Sequence, residues 1–380
     1  MFVELQPNRF AGVKSLFQGF DYSLSILAAI EGNNPGRIFV DSTEHPTIGF
    51  ALTVEGYLLG GEPSNPQALG ALRELLREKI FTGQVFVNGD KSLSLAVYPE
   101  DWEARLSELI PTHEAEKLER YHYLCDSASL DWQNQVPEGI VIRRIDGALL
   151  RDSGIVFSEV GEFDFDQIWV GVENFLDKGA GFCALAGQEV VAWCMSDCAA
   201  GKQIDVGVFT HPAYRRRALG TIVVAATVEH CLRQGFRALG WHCNAENVAS
   251  WKLAEKVGFK RHRTYHYFYY MYDPVDHLAE LGWYHYRNRR YDRCTEYYEQ
   301  VFARREDNPD YYYHLAASAW AILGDAQRAL KYLQAAADHG WREADFTNEA
   351  EEFAILHGTP EWDMLLQQMR STENGSHSLP

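Results

Sequence analysis

The stretch Asp205-Val-Gly-Val-Phe-Thr-His-Pro-Ala-Tyr-Arg-Arg-Arg-Ala-Leu-Gly220 decides the fold of this chain. A short strand pattern leads into a loop with three consecutive arginines and with small residues at Ala218 and Gly220. The loop continues without a break into an apolar helix that begins Thr221-Ile-Val-Val-Ala-Ala. Such a turn presents unpaired backbone N–H groups and the positive end of the helix dipole, which suits a pyrophosphate. Taken alone it is a weak signal, because three arginines in a row are often only a surface cluster.

A second motif lies close behind the first. It reads Gly240-Trp-His-Cys-Asn and then Asn247-Val-Ala-Ser-Trp-Lys-Leu-Ala-Glu-Lys-Val-Gly-Phe259. The order of strand, basic turn, helix, strand, Asn and Lys-Val-Gly-Phe resembles the GNAT acetyltransferase superfamily. The family's turn, Arg/Gln-x-x-Gly-x-Gly/Ala, maps onto Arg215, Ala218 and Gly220, with alanine where glycine is more common. The resemblance implies direct attack of a substrate amine on acetyl-CoA, without a covalent enzyme intermediate.

The composition limits the class of protein. A chain of 380 residues, 46% of them hydrophobic, suggests two or three domains with sizeable cores. The net charge of −18 argues against a nucleic-acid binder, whose affinity depends on neutralising phosphates, and is compatible with amine substrates. The first residues show no basic stretch followed by a long apolar run, and no window approaches a membrane span. We therefore expect a soluble, cytoplasmic protein without nucleic-acid or membrane partners.

The cysteines indicate free thiols. There are seven of them, at positions 125, 183, 194, 198, 231, 243 and 294, and no Cys-x-x-Cys pair occurs. Cys194 and Cys198 are four apart with no second pair, so we predict no zinc site and no other metal. Buried free thiols in a reducing cytoplasm are the simplest interpretation.

The first segment, residues 1–137, alternates strand and helix patterns. The stretches that begin at Gly36 and Ile48 predict a β-hairpin, and Pro66 precedes an amphipathic helix over residues 68–80. A strand at residues 85–87 and a helix at residues 102–109 follow. The outline is similar to one half of a GNAT pair, but no arginine-rich turn opens its helix. We predict a degenerate GNAT-like domain, with an unrelated α/β domain as the alternative.

The second segment, residues 138–274, is the predicted catalytic GNAT domain. A Gly187-Gln turn joins two strand patterns, and a tyrosine-rich strand at residues 263–272 closes the segment. Across residues 1–274 the chain resembles the GNAT subfamily that includes the zwittermicin A resistance acetyltransferase. Stretches such as Gly181-Phe-Cys-Ala-Leu and Gly207-Val-Phe-Thr carry this resemblance, together with the second motif. It implies an α+β fold with tandem GNAT-like domains.

The third segment, residues 275–370, loses the strand signals and contains a repeat. Four small or apolar residues, Gly282, Cys294, Tyr298 and Val301, recur 35 residues later as Ala317, Ala329, Leu333 and Ala336. This spacing resembles the tetratricopeptide (TPR) pattern of paired helices and predicts an all-α TPR-like domain. Such a domain would serve a protein partner or self-association. Residues 371–380 are polar and predict a disordered tail.

The GNAT resemblance implies a cofactor site. The strand residues Val208, Phe209 and Thr210 would present backbone groups to the pantetheine amides and the acetyl carbonyl. The turn and the start of its helix would hold the pyrophosphate through N–H groups: Arg215, Arg216, Arg217, Ala218, Leu219, Gly220 and Thr221. Either of the last two arginines could reach the 3′-phosphate of the cofactor. Asn247 falls where the family often places a CoA contact, although Asn is also a common helix N-cap.

The general acid departs from the family pattern. Many GNAT enzymes protonate the leaving thiolate with a tyrosine, and this chain has Ala254 at that position. The acid could instead be Ser250 or one of three tyrosines, Tyr265, Tyr267 and Tyr269. It could also be dispensable, because a thiolate is a tolerable leaving group.

The sequence does not determine the general base or the acyl acceptor. Asp205, at the family's usual acidic strand position, is the first candidate for general base, followed by His242 and Asp197; His242 could equally be structural. The leading prediction is an N-acetyltransferase for a small amine, such as an antibiotic or an amine metabolite. One alternative is a protein N-acetyltransferase whose TPR-like helices recruit a polypeptide. Another is a non-catalytic acyl-CoA-binding scaffold.

Overall fold

The computed structural model describes residues 1–85, 91–128, 130–157 and 165–371. The chain divides into two compact units, Met1–Tyr270 and Met271–Pro380. The strands are β1 Val3–Glu4, β2 Gly36–Val40, β3 Ile48–Thr53, β4 Gly56–Gly61, β5 Ser92–Tyr98, β6 Glu116–Cys125, β7 Ile140–Arg144, β8 Gly181–Ala186, β9 Glu189–Ala200, β10 Gln203–Thr210, β11 Ala238–Asn244 and β12 Lys260–Met271.

The first unit also contains α-helices. They are α1 Leu24–Ile30, α2 Pro66–Leu75, α3 Leu106–Leu109, α4 Gly147–Leu150, α5 Phe165–Ile168, α6 Val172–Lys178, α7 Leu219–Arg233 and α8 Val248–Val257. Segments of 3-10 helix span Pro7–Phe20, Glu100–Arg105, Gln133–Gln135 and Pro212–Tyr214. Leu76–Ile80 continues α2 as a π-helix.

One continuous sheet runs through the first unit, in the order β1-β2-β3-β4-β5-β12-β6-β11-β10-β9-β8-β7. β12, the last strand of the unit, lies between β5 and β6, and β6 pairs with both β11 and β12 in antiparallel fashion. Residue 137, the predicted end of the first domain, therefore falls inside a single compact unit. Because β12 of the second half lies between β5 and β6 of the first half, the turn between β3 and β4 is held close to strands of the second half.

The hairpin and the helix after Pro66 that were predicted in the first half are confirmed, while the predicted helix at residues 102–109 is the 3-10 segment Glu100–Arg105 followed by α3. β2 and β3 form the predicted hairpin, with Phe39 opposite Phe50. α2 begins at Pro66, and the Asn65 side chain caps it by accepting hydrogen bonds from the next N–H groups, including Gln67 N at 3.0 Å. Of the strand predicted at residues 85–87, residues 86 and 87 lie outside the described residues.

The second half has an αβ core around α7. The Gly187 turn joins β8 and β9 as predicted, and α7 is buried over most of its length because nearly all its side chains are apolar. Asn34, a buried side chain from the first half, donates to the carbonyls of Ile168 and Asp197 at 2.8 and 2.9 Å. The same amide accepts from Ala199 N at 3.3 Å, which fixes β9 beside the first half.

All seven cysteines lie in the described chain, and each is a buried free thiol, as the sequence predicted. Among the described residues, none of the helices combines the length and the apolar character that a membrane crossing requires.

The second unit is helical. It contains α9 Pro274–Arg287, α10 Tyr291–Arg304, α11 Asp310–Ile322, α12 Ala326–Asp338, α13 Ala344–Glu349, a 3-10 segment Glu351–Leu356 and α14 Pro360–Arg370. The eight residues of the 35-residue repeat are buried in α9–α12, and a Cβ on Gly282 would lie only 3.0 Å from the Tyr298 ring. The small residues thus allow close helix packing, while the TPR assignment itself stays a prediction. The predicted disordered tail is residues 371–380, and residues 372–380 lie outside the described residues.

Candidate active site

β10 and β11 diverge partway along their length. Their parallel pairing covers Gln203, Ile204 and Asp205, whereas the pairing of β10 with β9 continues as far as Thr210. A register shift between Asp205 and Val206 bends β10 at the point where the divergence begins. The cleft that opens has a volume of about 270 Å³. It is lined by Glu55, Arg120, Asp197, Val206, Gly207, Val208, Trp241, His242 and Ser250.

The basic turn connects the open end of β10 to α7. Arg216 and Ala218 both have left-handed backbone conformations, with φ of 64° and 63°. Glycine adopts this region without steric cost, which explains why glycine is more common at the position of Ala218. Arg215 Nε donates to the Thr210 carbonyl at 3.2 Å and ties the turn to the strand. The three arginine side chains of the turn are exposed, and the first N–H groups of α7 have no partner within the helix.

The strand residues and the basic turn that are predicted to bind the cofactor adjoin each other at the end of β10. Val208, Phe209 and Thr210 occupy the part of β10 that no longer pairs with β11, and the turn follows directly. Thr221 is buried at the start of α7. Asn247 caps α8, where its side chain accepts from Ser250 N at 3.1 Å. The contacts of these residues with CoA stay a prediction.

A group of charged side chains lies at the base of the cleft. His242 Nε2 is 3.6 Å from Asp205 Oδ2 and 4.0 Å from Glu55 Oε2, and His242 Nδ1 is 3.0 Å from Tyr265 Oη. The side chains of His242, Asp205 and Glu55 are 4%, 6% and 19% exposed. Burial lowers the pKa of His242, but the carboxylates of Glu55 and Asp205 outweigh it and leave the pKa raised.

The carboxyl groups of this cluster have different surroundings. Burial raises the pKa of Glu55, the charge of Asp205 adds to this effect, and His242 opposes it. Burial also raises the pKa of Asp197 well above its usual range. Asp205, which the sequence placed as first candidate for the base, lies below the cleft instead of on its lining. Its carboxylate faces His242 and, at 3.9 Å, the Cys198 thiol.

The histidines of the cluster are poorly arranged for a shared metal ion. His122, Asp205 and His242 offer ligand atoms within 4.8 Å of one another. The rings of His122 and His242, however, stack with 4.4 Å between their centres and 2° between their planes, so their nitrogen lone pairs lie in parallel planes and do not converge on one point. Burial, with His242 adding to it, lowers the pKa of His122 to about 3, so this ring is neutral. The two histidine rings are therefore not arranged to share one ion.

Comparison with known proteins identifies the family. Residues 14–268 match the GNAT acetyltransferase family. The chain belongs to the GNAT acetyltransferase family. The uncharacterized N-acetyltransferase YdfB of Bacillus subtilis (strain 168) is 24% identical over 267 residues, covering 70% of this chain and 97% of that protein. The GCN5-related N-acetyltransferase-like protein of Streptococcus suis 89/1591 is 22% identical with a TM-score of 0.50, covering 68% and 97% of the two chains.

The GNAT match includes both halves of the first unit and ends before the helical unit. At the position where the family often has a tyrosine that acts as general acid, this chain has Ala254, whose side chain is fully buried. Of the alternatives, Ser250 lines the cleft, and its Oγ accepts a hydrogen bond from Trp241 Nε1 at 3.0 Å. Tyr265 is engaged by His242, and Tyr267 Oη donates to Asn244 Oδ1 at 3.3 Å.

Two residues of this GNAT site were missed by the sequence analysis. Glu55 lies in the turn between β3 and β4, and Arg120 lies on β6. Burial lowers the pKa of Arg120, but Tyr265 and Glu55 outweigh it and leave the pKa raised. A Glu-Gly pair between two strands is typical of an ordinary surface turn, so no local signal could have found Glu55.

Proposed function

We propose that the chain is an acetyl-CoA-dependent N-acetyltransferase whose acceptor is the amine of a small cationic molecule. The observation that carries the proposal is the cleft between β10 and β11, which leads toward the basic turn. Glu55 and Asp197 lie on its lining beside Arg120 and His242, and the basic turn follows the end of β10 that does not pair with β11. A substrate ammonium is attracted to the Glu55 carboxylate, while the phosphates of acetyl-CoA are attracted to the arginines of the turn. The amine and the phosphates of the cosubstrate therefore bind at different ends of the cleft.

The open edge of β10 supplies the binding groups for the cosubstrate. Backbone groups of Val208 and Phe209 are the donors and acceptors for the pantetheine arm. The N–H groups at the start of α7, beginning with Leu219 and Gly220, face the pyrophosphate with the positive end of the helix dipole. The exposed side chains of Arg216 and Arg217 are free to pair with the remaining phosphate.

Glu55 is the group we assign as general base. It lines the cleft, it is the most exposed of the three clustered residues, and its raised pKa brings it nearer to neutral pH, where a base is most effective. It accepts a proton from the substrate ammonium, and the neutral nitrogen then attacks the thioester carbonyl carbon. His242, held between Asp205 and Glu55, is a positioning residue that stabilises the charge of both carboxylates.

The leaving thiolate needs a proton as the carbon–sulfur bond breaks. Ser250 Oγ already accepts from the Trp241 indole, so its own proton is available for donation toward the cleft. The neighbouring Cys243 thiol is a weak acceptor and competes poorly for it. After the attack, the nitrogen gives a second proton to Ser250, which replaces the proton that Ser250 gave to the thiolate. The products are an amide, the CoA thiol and one proton held by Glu55.

The alternatives of polypeptide acetylation and of a non-catalytic scaffold predict different results in one experiment. Purified chain is mixed with acetyl-CoA and a panel of small amines, and release of free thiol is followed together with calorimetric binding of CoA. We expect binding and thiol release with at least one cationic amine. CoA binding with release only on polypeptides would favour the protein acetyltransferase. Binding without release on either class would favour the scaffold, and absence of binding would reject the whole assignment. Antibiotics that carry an amine group are included in the panel, to test the resemblance to the subfamily of the zwittermicin A resistance acetyltransferase.

A further inference from the structure

The helical unit contains a large cavity of its own. Its volume is about 720 Å³, within the range of roughly 300–1,000 Å³ that ligand sites usually have. It is lined by Ala279, Glu280, Trp283, Tyr286, Arg287, Tyr298, Tyr311, Tyr312, His314, Leu315, Phe346 and Glu352. We call it the helical cavity. Its lining comes from α9, α10, α11 and the segment around α13, and the acetyl-transfer proposal uses none of these residues.

Aromatic rings make up half of this lining. Trp283 and Phe346 are large apolar side chains that are nonetheless 38% and 50% exposed. Behind them the rings of Tyr298 and Tyr312 lie 5.6 Å apart, and Trp283 stacks on Tyr286 at 6.0 Å. The faces of aromatic rings carry negative electrostatic potential and attract cations. A cavity with this lining favours a ligand that is apolar in its body and positive at one end.

Two carboxylates strengthen that preference. Burial raises the pKa of Glu280, with Arg287 opposing, and Glu280 has no ion pair within 4.0 Å among the described residues. Glu352 is held in place because its Oε1 accepts from Ser318 Oγ at 3.2 Å. Two basic residues belong to the lining. Burial lowers the pKa of His314 to about 3, so this ring is neutral, and Arg287 has its guanidinium carbon 5.9 Å from the Trp283 ring centre. An anionic ligand would meet two carboxylates, whereas a cationic one would neutralise them.

A buried hydroxyl points to the same ligand site. Tyr298 is fully buried and lines the helical cavity, and its Oη has no hydrogen-bond partner among the described residues. Burial raises its pKa, so the hydroxyl stays protonated and can both donate and accept. Buried polar atoms in proteins are nearly always paired, so an unpaired one on a cavity wall indicates a partner supplied by a ligand.

We propose that the helical cavity binds an organic cation, an ammonium or guanidinium group on an apolar stem. The charged group lies against Glu280, the Tyr298 hydroxyl and the face of Tyr312, and the stem lies between Trp283 and Phe346. Such a cation could be a lysine or arginine side chain of a polypeptide, or a free amine. The proposal does not depend on acetyl transfer, because the helical cavity and the cleft share no residue.

The test uses the full chain and isothermal calorimetry with four probes. Phenethylammonium is compared with neutral N-acetylphenethylamine, and the peptide acetyl-Gly-Gly-Lys-Gly-Gly-amide is compared with its Glu counterpart. We expect saturable binding of the cationic member of at least one pair and none of its neutral or acidic counterpart. Tighter binding of the lysine peptide identifies a polypeptide source, and tighter binding of phenethylammonium identifies a free amine. Equal binding of the charged and uncharged members, or no binding of either cation, overturns the proposal.

Three variants locate the site. Glu280→Gln should weaken cation binding by about 5-fold or more, the effect of removing one charge partner. Tyr298→Phe should weaken binding by a smaller factor while the protein remains folded, because only the hydroxyl is lost. Glu299→Gln on the exposed face of α10 is the matched control and should leave binding unchanged. If Glu280→Gln binds like the control while Glu55→Gln abolishes binding, the cation occupies the acetyl-transfer cleft and the helical cavity is not its site.

Discussion

Replacing Gly220 by Asp should separate cofactor binding from folding. Gly220 is the second residue of α7, and a Cβ there would lie 3.1 Å from Thr210 Oγ1 and 3.4 Å from Leu253 Cδ2. These contacts require shifts of a few tenths of an ångström. Against them, a helical Gly replaced by a residue with a side chain gains up to about 1 kcal/mol of helix propensity, and an acidic residue in the first turn gains about 0.3–1 kcal/mol. The free energy of unfolding should therefore change little.

The same carboxylate should repel the pyrophosphate strongly. Two unit charges about 6 Å apart repel by roughly 0.7 kcal/mol in water and about 3 kcal/mol at the effective dielectric constant near a protein surface. Acting on two phosphate charges, the carboxylate should weaken CoA binding by at least about 2 kcal/mol, a factor of about 30 in Kd. Gly220→Ala carries the Cβ without the charge and should bind CoA within about 1 kcal/mol of the natural chain.

Calorimetric titration of CoA into the three proteins, with thermal unfolding measured in parallel, checks this expectation. The loss in Gly220→Asp should shrink as salt is added, because screening weakens the repulsion. Unchanged CoA affinity in a folded Gly220→Asp protein would refute the reasoning, because the pyrophosphate could not then lie at the start of α7. An equal loss in Gly220→Ala would also refute the electrostatic explanation and indicate a steric one.

Three further predictions concern the cleft and the division of the chain. Glu55→Gln should lower kcat about 10²–10⁴-fold, the usual effect of losing a general base, with CoA affinity unchanged. Because the pKa of Glu55 is raised, kcat/KM of the natural chain should increase with pH above the usual carboxyl range. This increase with pH should disappear in Glu55→Gln and persist in Glu62→Gln, a control at an exposed glutamate. Asp205→Asn removes a charge that raises the pKa of His242. Turnover should therefore fall less than in Glu55→Gln, and the loss should shrink at high pH, where the substrate amine is already neutral. A loss as large as that of Glu55→Gln would return the role of general base to Asp205. A chain ending after Pro274 keeps β12 complete and should still bind acetyl-CoA in calorimetry; loss of binding by a folded truncated protein would contradict the modular arrangement.

The site shows which features can be predicted from sequence. The basic turn was readable because its arginines, alanine and glycine lie within six residues, and the backbone geometry they form is local. The helical repeat was readable for a similar reason, since buried positions of paired helices recur at a fixed spacing. The general base that we propose, Glu55, was not readable in this way. Asp205 lies at the family's acidic strand position, yet its carboxylate faces His242 below the cleft, and Glu55 faces the cleft from a turn in the other half.

The sequence by itself determined the family, the strand–turn–helix unit and the helical character of the last third, because each follows from residues that are neighbours in the chain. Only the tertiary structure decided that β12 lies between β5 and β6, which brings Glu55, Arg120 and His242 to one cleft. The raised pKa values of Glu55 and His242 were likewise decided there. Electrostatic interaction depends on distance through space and on burial, and both are fixed by strand order between distant segments and not by local pattern.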